Sequence, residues 1–216
     1  MVSQLKLYLL RHGETEYSRT GGYCGALDPE LTPEGARMAR EFAAAYWSLP
    51  WAAVYASPMR RTVATARPLC DAVGVPMQTR DGLREIAYGA WEGLTQEAVK
   101  ERYAEEYAHW MTEPAWNAPS GGETAQQVAS RATPVVSEIL AAHAEGGGNV
   151  LIVSHKATLR ILLCGFLGID LGRYRDRLAM PAGAVSVVSI GKYGPLLESL
   201  GDRSYLSDDL RQREGT

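Results

Sequence analysis

The chain has 216 residues, a length typical of one domain with or without an inserted subdomain. Hydrophobic residues make up 46% of the chain and charged residues 22%, which excludes a disordered chain, a collagen-like repeat and a coiled coil. The formal net charge of -3 excludes a global positive field for nucleic acid or an anionic membrane, so local charges would have to hold any anionic ligand.

The first apolar run, residues 5–10, is too short for a helix and ends at the Arg-His-Gly sequence of residues 11–13. It predicts a buried strand that delivers a loop. No small-residue cleavage pattern follows it, so we expect neither a signal peptide nor a membrane span. The chain has three widely spaced cysteines that match no CxxC or zinc spacing: Cys24, Cys70 and Cys164. This pattern favours a reducing cytoplasm and predicts no metal site.

Strand and helix patterns alternate through the next hundred residues. Thr32 followed by Pro33 is typical of a helix start, and so is Ser57 followed by Pro58. The predicted elements are a helix at 32–47, a strand at 52–56, a helix at 59–72, a strand at 77–79, an irregular Gly-rich loop at 81–93 and a helix at 95–103.

The second half begins with an aromatic, acidic segment at 103–122 that contains Pro and Gly, which predicts a covering segment, or lid, rather than a linker. The triple glycine at 146–148 is interpreted as a turn, because no strand precedes it and no helix pattern follows it. The predicted elements are a helix at 123–144, strands at 149–153, 185–190 and 196–200, a helix ending near 167, and a charged, mobile tail at 202–216.

Alternating strands and helices predict an α/β fold with three layers, a mostly parallel central sheet with helices on both faces. Such sheets bind ligands beyond the carboxyl ends of their strands. His12 and His155 both follow a predicted strand directly. We therefore expect one domain at 1–201 that carries the lid and places both histidines in one site.

The polar residues expected at this edge suit a phosphoryl group. They are two histidines, His12 and His155, two arginines, Arg11 and Arg61, and the loop carboxylate Glu85. Guanidinium groups and imidazolium donors match the oxygens of a doubly charged tetrahedral anion.

Six segments, in order along the chain, carry a family resemblance that extends from about residue 5 to 200. They are LRHGETE at 10–16, DPELTPEG at 28–35 after Gly25, SPMRRTVATA at 57–66, LRE at 83–85 with GAWEG at 89–93, GGET at 121–124 and VSH at 153–155. Together they resemble the signatures of the histidine phosphatase superfamily, also called phosphoglycerate-mutase-like, and in particular its short phosphatase branch.

The resemblance implies a role for each of the five residues. His12 would be the nucleophile that attacks phosphorus and carries a phosphohistidine intermediate. Arg11, Arg61 and His155 would hold the phosphoryl oxygens and stabilise the transition state. Glu85 would protonate the leaving oxygen and then take a proton from the attacking water. No metal and no cofactor is then expected.

Two positions depart from the family pattern. Ser18 stands where many members carry an Asn that donates to phosphate, and its hydroxyl reaches less far. Lys156 follows the second histidine where glycine is usual, and it either lines the substrate pocket or points to solvent. Cys24 and Tyr88 are further candidates for the wall of the pocket.

These residues favour a metal-independent phosphomonoester hydrolase. A phosphoglycerate mutase would share every catalytic residue, but mutases of this family carry a longer insertion than the 70 positions that separate Glu85 from His155. A phospho-ligand binding protein without turnover is the alternative from another class. A nucleotide-binding dehydrogenase is set aside because no GxGxxG follows the first strand.

The expected partner is a small phosphate ester, with neither nucleic acid nor membrane. Lys156 beside the second histidine would offer positive charge to a carboxylate near the phosphate, which favours phosphoserine, phosphoglycerate or a similar small acid. A homodimer is compatible with the sequence.

Overall fold

The computed structural model describes residues 4–213. Its strands are β1 (Leu5–Arg11), β2 (Trp51–Ala56), β3 (Met77–Thr79), β4 (Gly148–Ser154), β5 (Val185–Gly191) and β6 (Gly194–Asp202). Within this part of the chain they form one sheet in the order β3-β2-β4-β1-β5-β6. The first four strands are parallel, whereas β5 and β6 are each antiparallel to their neighbour. The predicted mostly parallel sheet is confirmed.

The described helices are α1 (Glu16–Thr20), α2 (Pro33–Tyr46), α3 (Arg60–Val73), α4 (Gln96–Arg102), α5 (Ala104–Thr112), α6 (Ala125–Ala142), α7 (Lys156–Leu167), α8 (Tyr174–Arg177) and α9 (Asp208–Arg211). The hydroxyl of Thr32 caps α2 and that of Thr124 caps α6. Of the helices within 4–213, none has the length and apolar character that crossing a membrane requires.

The two faces of the sheet carry separate apolar cores, because successive side chains of a strand point to opposite faces. On one face, Leu7 and Leu9 of β1 pack with side chains of α6 and α7. On the other face, Tyr8 and Leu10 of the same strand pack with side chains of α2 and α3. The predicted three layers are therefore present.

The segment that follows β6 packs against the domain instead of forming a mobile tail. Leu206 and Leu210 are buried against Met38, and the Arg213 guanidinium forms an ion pair with Glu14 at 2.8 Å. The two leucines give this charged segment one apolar side, so the predicted mobility is wrong for residues 202–213. The remainder of the predicted tail, 214–216, and residues 1–3 of the predicted domain lie outside the described residues.

The segment predicted as a lid, residues 103–122, contains α5 and a loop. Trp110 of α5 packs against Trp91 and Tyr23, with ring centroids 5.3 Å and 6.0 Å apart. That this segment opens and closes over a ligand stays a prediction.

Candidate active site

The two predicted histidines lie at the ends of adjacent parallel strands. Arg11, the last residue of β1, pairs in register with Ser154, the last residue of β4. The backbone N–H of His12 donates to the Ser154 carbonyl at 3.0 Å. The ring centroids of His12 and His155 are 5.2 Å apart, and both rings are buried. The sheet register thus joins two histidines that are far apart in the sequence.

The ring of His12 is oriented by its own loop. Its Nδ1 lies 2.7 Å from the Gly13 carbonyl oxygen. A carbonyl only accepts, so in the neutral ring Nδ1 carries the proton and Nε2 keeps its lone pair. The loop leaves no room for a side chain at Gly13, since a Cβ there would lie 2.3 Å from the Gly35 carbonyl oxygen. His12 is therefore held in the tautomer that a nucleophile needs.

His155 has the opposite tautomer. The Arg61 Nε donates to its Nδ1 at 3.2 Å, and an arginine has no acceptor atom. The proton of the neutral ring is consequently on Nε2, which donates to the Ser57 hydroxyl oxygen at 2.8 Å. This contact gives Ser57 a role in the site, beside the second histidine, that the sequence did not predict.

Both rings are held in the neutral form. Burial lowers the pKa of His12 well below its usual 6.5, and the charges of Arg61 and Arg11 lower it further. Burial also lowers the pKa of His155 well below that value, with Arg61 again the strongest charge. An unprotonated Nε2 on His12 is the form that can attack phosphorus.

Arg61, in the first turn of α3, is almost fully buried. Its Nη1 donates to the Leu27 carbonyl at 2.7 Å and its Nη2 to the Gly25 carbonyl at 3.2 Å, in addition to the bond to His155. The planar guanidinium is therefore fixed in orientation before any ligand binds.

Arg11, which directly precedes His12, is also buried. Its Nη1 donates to the Met180 carbonyl at 2.7 Å, whereas its buried Nε finds no hydrogen-bond partner among the described residues. Burial lowers the pKa of Arg11 to about 10, and the charge of Glu85 opposes that shift. A buried N–H without a partner beside a pocket is a strong candidate donor to an anion.

Glu85 lies against the first turn of α7, the helix that begins directly after His155. Its Oε2 accepts from the Ala157 backbone N–H at 3.3 Å. Its Oε1 accepts from the Thr158 backbone N–H at 3.2 Å and from the Thr158 hydroxyl at 3.3 Å. The positive end of the helix dipole thus stabilises the carboxylate in one position.

A pocket of about 300 Å³ lies over these groups. The predicted site residues in its wall are Arg11, His12, Ser18, Cys24, Arg61, Glu85, Tyr88 and Lys156. His155 is not among the residues that line this pocket, and its two ring nitrogens contact Ser57 and Arg61. Its predicted contact with the phosphoryl oxygens stays a prediction. The structure therefore brings together the residues that the sequence singled out. His12 lines the pocket, whereas His155 does not.

Three of the predicted wall residues have side chains with local roles. The Ser18 hydroxyl oxygen accepts from the Thr15 backbone N–H at 2.8 Å and its hydroxyl donates to the Thr15 carbonyl at 3.0 Å, which caps α1. Burial raises the pKa of the Cys24 thiol to about 11, which keeps it protonated. The Tyr88 ring packs on Tyr23 with centroids 4.9 Å apart. Their contact with substrate stays a prediction.

Lys156 lines the pocket, which decides between the two orientations that the sequence left open. Burial lowers its pKa to about 7, and the positive charges of Arg11 and Arg160 add to this effect. An anion bound beside it would favour the charged ammonium.

Sequence reasoning missed a cationic end of the same pocket, formed by Arg160, Tyr174 and Arg175. The Arg160 Nε and the Tyr174 hydroxyl are buried and find no partner within residues 4–213. The Arg175 guanidinium lies 3.6 Å from the Trp110 ring centroid. Only Arg160 has a signal in the sequence, since it stands one helical turn after Lys156.

Within the described part of the chain, no group of three or more His, Cys, Asp or Glu side chains is arranged to hold a metal ion.

Comparison with known proteins supports a common origin. The model of the histidine phosphatase superfamily (branch 1) matches residues 7–203. Phosphoserine phosphatase 1 of Hydrogenobacter thermophilus is 33% identical over 170 residues, which cover 79% of this chain and 80% of that protein. Glucosyl-3-phosphoglycerate phosphatase of Mycobacterium tuberculosis is 30% identical over 175 residues, 78% of each chain. The solved structure of Bacillus stearothermophilus YhfR superposes with a TM-score of 0.85 at 29% identity and covers 94% of this chain and 100% of that chain.

Proposed function

Because the chain belongs to the histidine phosphatase superfamily and is a phosphatase, we propose that it hydrolyses small phosphate monoesters through a phosphohistidine formed on His12. The observation that carries this proposal is the Nδ1 contact of His12 with the Gly13 carbonyl, which keeps Nε2 unprotonated. Nε2 would form a bond to phosphorus while the bond from phosphorus to the ester oxygen breaks in line with it.

Glu85 would serve both halves of the reaction. In the first half its carboxyl group gives a proton to the leaving oxygen, so that an alcohol departs. In the second half the carboxylate takes a proton from water as the water oxygen bonds to phosphorus, and the bond to Nε2 of His12 breaks. The products are the alcohol and inorganic phosphate, and His12 and Glu85 return to their starting forms.

Positive side chains would replace a metal ion in this scheme. Arg11 and Arg61 line the pocket with His12, and hydrogen bonds to backbone carbonyls hold their guanidinium groups. The Arg61 Nε also donates to His155. Donors of this kind stabilise the charge that spreads over the phosphoryl oxygens in the transition state. We therefore propose a reaction that requires neither a metal nor a cofactor.

The cationic end of the pocket supports a substrate with a carboxylate. Lys156, Arg160 and Arg175 line the same pocket as His12. Phosphoserine and glucosyl-3-phosphoglycerate, the compounds in the names of the two relatives, both carry a carboxylate near the phosphate. We propose that this chain prefers a small phosphate ester of that class.

A substitution at Lys156 tests the substrate class. In Lys156→Met the carboxylated esters lose an ion pair, so the KM for phosphoserine and 3-phosphoglycerate should rise about five-fold or more. The KM for an alkyl phosphate that carries no carboxylate should stay the same. The exposed Lys192 provides the matched control, Lys192→Met, which should leave both values unchanged. If both substrate classes respond alike, the proposed carboxylate contact is wrong.

The same assay separates hydrolysis from the mutase alternative. With 3-phosphoglycerate as substrate, release of inorganic phosphate should exceed formation of 2-phosphoglycerate. A faster conversion to 2-phosphoglycerate would make the protein a mutase. If the protein turns over none of these phosphate esters but still binds inorganic phosphate, the result would favour the phospho-ligand binding protein.

A further inference from the structure

Arg131 on α6 holds the loop that carries Glu85. Its Nη1 donates to the carbonyl oxygens of Gly82 at 2.8 Å and Arg84 at 2.9 Å. Its Nη2 donates to the carbonyl oxygen of Glu85 itself at 3.0 Å. The loop also packs closely on this helix, since a Cβ on Gly82 would lie 2.3 Å from the Arg131 carbonyl oxygen. One guanidinium therefore fixes the backbone on which the proposed acid stands.

Glu123 orients this guanidinium. Its Oε1 accepts from the Arg131 Nε at 2.8 Å and its Oε2 accepts from Nη2 at 2.9 Å, a two-point pairing that sets the plane of the group. The same carboxylate accepts from the Ala87 backbone N–H at 3.0 Å, and the Glu123 N–H donates to the Ala87 carbonyl at 2.8 Å. Glu123 thus binds the loop at Ala87, two residues after Glu85, and also binds the Arg131 guanidinium.

The other side of the loop is held by the elements that carry the second histidine. The Ser154 hydroxyl of β4 donates to the Leu83 carbonyl at 2.7 Å, and the Thr158 hydroxyl of α7 donates to the Arg84 carbonyl at 2.6 Å. Every carbonyl from residue 82 to residue 85 therefore accepts a hydrogen bond from a side chain. Arg131 is a donor to three of these four carbonyls, and Ser154 donates to the other one.

We propose that Arg131, oriented by Glu123, is a positioning residue for Glu85, and that it sets the distance between the Glu85 carboxyl and the leaving oxygen. The inference rests on the proposed role of Glu85 as general acid. A general acid works only within hydrogen-bond reach of the oxygen that it protonates, and a displacement of about 1 Å costs a large part of its effect. Loss of Arg131 should therefore affect the protonation step more than phosphoryl binding.

The test is the dependence of the loss on the leaving group. Arg131→Met should lower kcat/KM for an alkyl phosphate about ten-fold or more, while kcat/KM for 4-nitrophenyl phosphate, whose phenolate leaves without a proton, should stay within about two-fold of the parent. The ratio kcat/KM reports formation of the phosphohistidine and not its hydrolysis, the step in which Glu85 would act on water with either substrate. The Kd for inorganic phosphate should change little, because Arg131 lies outside the phosphate pocket. Arg131→Lys keeps the positive charge but lacks the planar guanidinium that reaches several carbonyls at once. It should therefore show the same selective loss on the alkyl phosphate.

Arg80→Met is the matched control. Arg80 forms an ion pair with Glu138 of the same helix, α6, at 2.6 Å, and its side chain donates to the Thr79 carbonyl instead of those of the Glu85 loop. Its removal should leave the ratio of the two kcat/KM values unchanged. If Arg131→Met does not fold, judged by its cooperative unfolding, Glu123→Gln takes its place and should show the same selective loss.

Glu85→Gln, measured first, separates this inference from the proposed function. If Glu85→Gln lowers kcat/KM for both substrates by the same factor, Glu85 is not the general acid, and the inference falls with the proposed role. Suppose that Glu85→Gln lowers kcat/KM mainly for the alkyl phosphate. If Arg131→Met and Glu123→Gln then lower kcat/KM for both substrates equally, or for neither, Arg131 has only a structural role. Selective losses in all three variants support the inference.

Discussion

Glu14, Glu85 and Glu123 have different partners, and this decides which of them can exchange protons with a substrate. Glu14 is bound to Arg213 and Glu123 to Arg131, both through two-point contacts. Glu85 alone of these three lines the pocket, where backbone and hydroxyl donors hold it. Glu85 is therefore the carboxyl group for which we expect a role in the chemistry.

Glu85→Gln should slow the hydrolysis of alkyl phosphates on the order of a hundred-fold, because an alkoxide leaves poorly without a proton. The same change should slow 4-nitrophenyl phosphate hydrolysis much less. Steady-state kcat/KM values for the two substrates measure the difference, because kcat/KM excludes the later hydrolysis of the phosphohistidine, in which Glu85 would also act. Equal losses on both would place the general acid elsewhere.

At the scale of elements, the sheet and the longer helices were predictable from local signals. Thr32 was predicted to start a helix and caps α2, and the apolar run before His12 forms a strand with nearly the predicted limits. The helices α1, α8 and α9 have four or five residues each, so they depend on tertiary contacts that no local pattern reports.

The site divides in the same way. His12 and His155 were predictable because each stands at the end of a strand. Tyr174 and Arg175 were not, since their place in the pocket depends on how the chain turns after α7. Ser57 was predicted to start a helix, but α3 begins at Arg60 and the Ser57 hydroxyl contacts His155 instead.

Arg175 contacts the predicted lid, residues 103–122, from another part of the pocket wall. Its guanidinium lies over the Trp110 ring and its Nη1 lies 2.9 Å from the Met111 sulfur. If this segment closes over bound anion, inorganic phosphate should slow amide hydrogen exchange in α5. Arg175→Met should reduce that effect. Exchange rates in α5 that do not respond to phosphate would show a fixed wall and not a lid.

At the scale of the whole molecule, the neutral histidines make stability depend on pH. Burial lowers the pKa values of His12 and His155 well below the 6.5 that applies in an unfolded chain. Below that value the unfolded chain binds protons that the folded chain does not, so stability is present above pH 6.5 and is lost as the pH falls. Between pH 7 and pH 5.5 the two groups should together remove roughly 2 kcal/mol from the free energy of unfolding.

Urea unfolding at the two pH values checks this prediction. His12→Asn should remove about half of the difference, because one of the two groups no longer titrates in the unfolded chain. A free energy of unfolding that is constant over this range would mean that both rings are protonated in the fold as readily as in water.

The homodimer stays a prediction, and sedimentation equilibrium tests it.

The central claim, that His12 carries the phosphoryl group, is tested most directly by trapping the intermediate. The protein is mixed with a ³²P-labelled phosphate ester in excess EDTA, quenched in alkali within one turnover and digested. We expect a label that is stable to base, labile to acid and located on His12, and no label in His12→Ala, which should lack measurable turnover. A label on a serine or aspartate, or a label that forms only after magnesium or zinc is added, would contradict the account.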